Sequence, residues 1–541
     1  MSRRNALAWV VLGLALVGPA RAQIPYSSEL LPSHTALNRV GLERHWQASV
    51  PLGIGYERVL SVGLSATGVT VSGTVADASG TELGFSGNTE LSPLNDIYIG
   101  SRIVFLDGPL AGQSRTVTGY TGASRRLAFA SPFRAGPANG ARFSVVDTMV
   151  FAQTTESNLY AFDGETGRLL WNQQLGGQIT RARPAAVNSR AVFVTNTNRL
   201  YALDRQTGRR LWSTTLPSMP AGPPAADEDR VFIGLDSGVL VAYNLHPTSL
   251  RGNEGSRTFP LATPTPLNAG PATVEAFKLL AYYREPQLAW NWQTDRPLTS
   301  RPLPAGRVVA FGAGDGRVYS ALSDVRSLLF RFLTGGGVVG PLAGHGERTL
   351  LAPSLDENVY AIDLFTGESL WTFSTGAPVE QEPLVADDDI FVQNSAGATS
   401  VLDPATGEAR WTNANQVGRF LAVGRSKLYL SSPDRDLFIL DRNTGRQIAD
   451  ARSTYQVSGL NLREFTLLVT NSVNDRIYAC SPSGSLICLR ELDAVVPHQL
   501  RDPASKPLGY IPPGGLNAPT AAPAVEPAAD PAAPAEPAEP N

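Results

Sequence analysis

A chain of 541 residues with 45 Lys and Arg against 48 Asp and Glu has a formal charge of −3 at neutral pH. That balance leaves no cationic excess to displace counterions from a nucleic acid, so nucleic-acid binders drop out of the expected classes. The length alone allows two to four ordinary domains or one large closed ring, and the preference for Arg (42) over Lys (3) fits a GC-rich coding sequence better than any functional demand.

Residues 1–22 read as a secretory signal peptide. Arg3 and Arg4 precede an apolar run over 6–17, and Ala20-Arg21-Ala22 is a small-x-small cleavage site. The run is too short for a membrane anchor, so no transmembrane segment is expected after cleavage. No Cys stands at the cleavage site, and lipid anchoring there is not expected. The chain is therefore expected in the periplasm or outside the cell.

After a linker over 23–40, residues 41–70 open the folded part. The text G-L-E-R-H-W-Q-A-S-V (41–50) resembles an outer strand placed ahead of the first repeated unit. Pairing it with the last unit would remove an exposed edge, and structural roles are expected for His45 and Trp46. Residues 59–64 have the pattern of an innermost strand whose partner waits until Met149. The Gly-rich stretch 71–147 between them has strand patterning at 97–99, 103–105, 115–118 and 143–145. It reads as a small β subdomain inserted in the first unit, either supplying partner contacts or a plain decoration.

From 148 to 495 one motif recurs: N-L-Y-A-F-D-G-E-T-G-R-L-L-W (158–171), R-L-Y-A-L-D-R-Q-T-G-R-R-L-W (199–212), V-Y-A-I-D-L-F-T-G-E-S-L-W (359–371) and S-V-L-D-P-A-T-G-E-A-R-W (400–411). Alternation in Leu159, Tyr160, Ala161 and Phe162 has the period of two of a half-buried strand. The Asp-x-x-Thr-Gly that follows is turn chemistry: the carboxylate accepts nearby backbone N–H groups and Gly takes a positive φ. The structural set is Asp163, Gly167, Trp171; Asp204, Gly208, Trp212; Asp363, Gly367, Trp371; Asp403, Gly407, Trp411; and Asp441, Gly445. Each Trp ends the next strand, where a large ring can cover the seam between units.

A short strand and a Pro-containing segment precede each motif, giving four strands in about forty residues, the arithmetic of a β-propeller blade. Second strands starting at Met149, Ala191, Arg230, Val308, Thr349, Asp389, Lys427 and Leu467 count eight blades, so the fold class is all-β, an eight-bladed propeller. The long interval after Arg230 leaves room for a ninth, degenerate blade, but a loop and short helix inserted over 247–287 is preferred, with Val274, Phe277 and Leu280 on one helical face. Cys480 and Cys488, the only two cysteines, flank a turn at Gly484. Reflection about that Gly places them opposite each other as a candidate disulfide, with two buried thiols as the equal alternative. Residues 496–541, rich in Pro, Ala and Glu, read as a disordered tail.

Catalytic chemistry is hard to find. The five histidines (His34, His45, His246, His345, His498) show no ligand spacing. The glycine-rich 312–316 joins two strands instead of opening a helix, and Asp387-Asp388-Asp389 reads as a solvated turn lacking a calcium loop's spacing. No catalytic, cofactor-binding or metal residue is assigned.

The repeated L-Y-A-L-D-x-x-T-G-x-x-L-W is similar to the pyrroloquinoline-quinone (PQQ) repeat over most of 149–492. That resemblance implies the quinoprotein-type propeller superfamily. Its enzymes, the alcohol and glucose dehydrogenases, hold PQQ and calcium over the central channel. Its non-catalytic relatives include the propeller subunit of the outer-membrane β-barrel assembly machinery, and the 41–46 start resembles exported planctomycete-type PQQ-like repeat proteins. The adjacent cysteines of many of the alcohol-oxidising enzymes have no counterpart here. The expectation is an exported, monomeric, non-catalytic scaffold without cofactor, binding a protein or cell-envelope component. A divergent PQQ- and calcium-dependent dehydrogenase and a carbohydrate-binding propeller are the alternatives.

Overall fold

The computed structural model describes residues 31–245 and 286–511, apart from 54, 189, 415–417, 493, 495–496, 502–505 and several short stretches between 67 and 147. The expected signal peptide, the helix over 272–284, His246 and the Pro/Ala/Glu-rich stretch beyond 511 lie outside the described residues.

Within the recurrent motif, Leu159 and Ala161 join the apolar cluster shared with the following sheet, and Tyr160 and Phe162 the one shared with the preceding sheet. All four are buried, so the strand is covered on both faces and not half-buried. The reason is the architecture: each sheet is sandwiched between two others. Second strands carry an aromatic column on the same logic, with Phe151, Phe193, Phe232, Phe311 and Phe391 all buried, each contributing roughly 2–3 kcal/mol of apolar burial.

The described residues form eight four-stranded antiparallel sheets and one closed six-stranded barrel. We call the sheets blades one to eight and their strands a to d from the axis outward. Strands a touch in succession from blade one to blade four and between blades five and six, strand a of blade seven touches strand b of blade eight, and strand a of blade eight touches that of blade one, closing the ring. Blade one is built from Val59–Ala66, Thr148–Thr154, Asn158–Asp163 and Leu169–Gln174. Between its first two strands the chain leaves to make the barrel, whose core includes Val75, Leu83, Ile103, Phe105, Leu127 and Phe143 and is separate from that of the blades.

Blade eight takes strands a to c from Leu467–Leu468, Ile477–Cys480 and Ser485–Glu491. Leu467 therefore starts the innermost strand there, not the second as expected from spacing: Thr470 to Arg476 loop out before strand b. The fourth strand comes from the other end of the folded part, Leu42–Ser49 pairing antiparallel with Ser485–Glu491. Blade three is completed by Gln287–Gln293 pairing with Val239–Asn244, and no ninth sheet stands among the described residues.

The boundary at 496 for a disordered tail falls too early. Residues 497–501 and 506–511 form a strap along the a–b turns of blades six, five and four. Leu500 N–H bonds the Val473 carbonyl, Asp387 N–H bonds that of Leu500, and Gly509 N–H bonds that of Glu347. Leu508 packs into the cluster between blades four and five. Apolar residues at 500, 508 and 511, spaced among prolines, give this stretch enough surface to bury, which the segment beyond it lacks.

Candidate functional site

The repeat carboxylates are occupied. Asp163 Oδ1 accepts from Glu165 N (3.0 Å), Thr166 N (2.7 Å) and Thr166 Oγ1 (2.8 Å). Asp204 and Asp441 repeat all three bonds within their own turns. Asp363 and Asp403 accept two backbone N–H groups each. Burial pushes the Asp363 carboxyl up, but Thr366 N–H, the Arg348 guanidinium and Phe365 N–H outweigh it and hold it below the usual range. For Asp441 the Thr444 hydroxyl and N–H act the same way.

These turns exist to receive the previous blade's aromatic residue. Trp171 Nε1 donates to the Arg205 carbonyl (2.8 Å), Trp371 to Pro404 (2.9 Å) and Trp411 to Arg442 (2.9 Å), each acceptor lying one residue past the turn Asp. Trp46 of blade eight and Trp290 of blade three do the same to Gly164 (3.0 Å) and Ser323 (2.9 Å). Blade four has Phe330 against Gly367 instead. A phenyl ring has no N–H, and Ser320 Oγ supplies the missing bond to the Leu364 carbonyl (2.8 Å). Trp212 Nε1 has no partner among the described residues; there the next blade's chain departs into 246–285.

The two cysteines do not face each other. The register pairs Cys480 with Leu486 and Cys488 with Tyr478, so the hairpin's mirror line runs through Ser483, not Gly484. Both are free, buried thiols in the seam between blades eight and one. Burial pushes the Cys480 thiol up to about 12 and Cys488 well above its ordinary value. Neither is a nucleophile at neutral pH. In native protein at pH 8 both are expected to stay unreactive towards a thiol reagent, with two thiols per chain titrating after denaturation. Mass spectrometry finding a 480–488 bridge would contradict this.

The Asp387-Asp388-Asp389 turn is not merely solvated: it holds two arginines. Arg442 reaches Asp387 (2.9 Å) and Asp389 (3.0 Å), Arg410 reaches Asp389 (2.5 Å), and His498 of the strap lies 3.2 Å from Asp387. The glycine-rich 312–316 is the b–c turn of blade four, with Asp315 paired to Arg317 at 2.6 Å. Among the described residues no group of three or more His, Cys, Asp or Glu is placed to hold a metal.

Spacing gave no sign of three buried polar nodes. Glu57 accepts from Thr154 Oγ1 (2.5 Å), Asn158 Nδ2 (2.8 Å) and Gly53 N. Arg442 ties blade seven to blade six. Arg476, with a fully buried side chain, bonds Asp475 (3.1 Å) and Glu165 (3.0 Å) across the blade-eight-to-one seam, where His45 Nε2 also lies 3.1 Å from Glu165. Their only sequence trace is a charged residue beside a buried strand. At the b–c-turn end, a cavity of about 680 Å³ between blades six and seven is lined by Gln381, Gln393, Asn394, Ser432 and Phe438 among others.

A family model described as outer membrane protein assembly factor BamB matches residues 113–305 and 304–517. Outer membrane protein assembly factor BamB of Shewanella oneidensis is 26% identical over 156 residues, covering 27% of this chain and 37% of that protein. The matched stretch thus spans little more than a third of that relative. Among solved structures, BamB from Moraxella catarrhalis aligns over 64% of this chain and 92% of its own, at 18% identity and a TM-score of 0.47. The computationally designed Ika8 protein aligns over 63% and 92%, at 14% identity and a TM-score of 0.45.

Proposed function

Starting from the chain's membership of the outer membrane protein assembly factor BamB family, we propose that it is an exported, non-catalytic scaffold of the cell envelope that binds a protein partner. The observation that carries the non-catalytic part is the occupation of the repeat carboxylates by their own turns. An enzyme of this fold needs acidic and amide groups converging on the channel, and here the repeated ones build corners.

A rigid ring with variable loops at both ends is a platform for recognition, and the inserted barrel adds a second surface on blade one. No helix among the described residues is long and apolar enough to cross a membrane.

The test has two arms. In cells, the chain is expected to fractionate with the envelope after loss of its first 22 residues, and cross-linking should join it to an envelope protein. Purified chain incubated with PQQ and calcium is expected to retain no quinone absorbance after desalting and to oxidise neither alcohols nor glucose. Stoichiometric quinone retention would sink the scaffold reading.

A further inference from the structure

Strands d are the outer edges of the ring, and one of them lacks the polar residues that guard the others. The third residue after the seam-covering tryptophan is Gln174, Thr215, Gln293, Ser374, Ala414 and Ser49 in blades one, two, three, five, six and eight. In blade four, where Phe330 replaces the tryptophan, it is Leu333, 68% exposed. The strand Leu328–Leu333 reads L-L-F-R-F-L, apolar but for Arg331, and it pairs with Arg317–Leu322 on one side only. Around it Leu288 of blade three, Val325 and Leu329 of blade four and Leu370 of blade five are exposed as well.

Edge strands are normally blunted by charge, proline or a bulge. The bulge of this strand falls between the partners of Ser320 and Ala321, ahead of Phe330, which leaves Phe330 to Leu333 regular. Thr334 N–H turns inward to the Gly316 carbonyl. By the alternation of an antiparallel ladder, the N–H and C=O groups of Leu333 and Arg331 therefore point outward, away from the sheet. Water can satisfy those groups, but it gains nothing from the leucines beside them. Leu333 also stands at the far end of the strand from the c–d side, where the chain leaves blade three after Asn244 and returns at Gln287.

A second copy of the same edge has the matching chemistry. A strand facing its own copy across a two-fold axis presents the same outward groups, so two residues can stand opposite only when both numbers are odd or both even. Arg331 opposite the Arg331 of the copy would set like charges together. The next register places Arg331 opposite Leu333 of the copy and Leu333 opposite its Arg331, using every regular outward N–H and C=O, and sets Phe332 opposite Phe332 on the axis. Each apolar side chain then meets another, and the one charge on each strand faces a leucine and leans past it into water. We propose that the chain forms a two-fold dimer in which the outer strands of blade four pair antiparallel in this register, joining two blades into one continuous sheet. This state differs from the monomer expected from the sequence, and it does not rest on the scaffold reading.

Sedimentation velocity of the full chain over roughly 1–100 μM is expected to show a dimer that grows with concentration. Leu333→Lys changes an exposed side chain and should weaken the dimer by roughly tenfold or more. Ile448→Lys, at an exposed apolar residue on the outer strand of blade seven, should leave it unchanged. Phe332→Cys reads the register: directly opposed residues that are not hydrogen-bonded bring their Cα atoms to about 4.5 Å, within reach of a disulfide. Mild oxidation of that variant should give a covalent dimer, and adding Leu333→Lys should suppress it. The native Cys480 and Cys488 are buried and add no background. A monomer at every concentration would overturn the proposal, giving the edge to a strand of another protein or to residues 246–285 of this one. A dimer untouched by Leu333→Lys, one that Ile448→Lys also dissolves, or one that does not cross-link through position 332 would overturn it as well.

Discussion

Replacing Gly208 with Ala is expected to destabilise the ring by ~3–5 kcal/mol, from the combined loss of conformational fit, packing and one buried hydrogen bond. Gly208 has φ +69°, and an added Cβ would lie 2.5 Å from two Trp171 ring carbons. The left-handed conformation alone costs about 1–2 kcal/mol for a residue with a Cβ. The larger share comes from Trp171, which is 7% exposed and cannot retreat without giving up its bond to the Arg205 carbonyl. Gly376→Ala separates the two effects: φ there is +72°, but nothing lies within 4 Å of the added carbon. That variant should lose only the conformational part. Urea denaturation of both variants checks the difference; equal losses would show that the Trp–Gly contact does not hold the seam.

The repeat was legible because its parts are local. Turn acids, hydroxyls and glycines act within five residues, so Asp163 to Gly167 reads the same in one dimension as in three. The starts of the second strands followed from spacing wherever each unit kept its length, and failed at Leu467, where an extra loop delays the second strand. Long-range facts were illegible for physical reasons. A charged residue beside an apolar strand looks alike whether it points to water or, as with Arg476, to carboxylates 1 and 311 positions away. The Cys480 and Cys488 hairpin shows the limit of reflection symmetry, since the length of the turn and not its glycine sets the mirror line.

Arg476→Met should be among the most damaging single changes, lowering stability by ~3–5 kcal/mol. Burial opposes the Arg476 charge, but Glu165 and Asp475 more than offset it and raise its pKa. Removal leaves both carboxylates buried without their cation, in the seam where the strand from 42–49 closes the ring. Asp475→Asn should act in the opposite sense. Burial pushes the Asp475 carboxyl up to about 6 against the pull of Arg476. The folded state therefore takes up this proton more readily than the unfolded chain, whose carboxyl titrates near its ordinary value of 3.8. Stability from this group is greatest below about 4 and is lost as pH rises from there through 6. The neutral amide of Asp475→Asn mimics the protonated carboxyl at every pH, so the variant should match wild type near pH 4 and exceed it by ~1–2 kcal/mol at pH 7.5. Denaturant midpoints between those pH values, wild type against variant, provide the check. A variant curve parallel to wild type would place the proton elsewhere in the cluster, and a loss at pH 7.5 would mean that the Asp475–Arg476 pair stabilises the seam on balance.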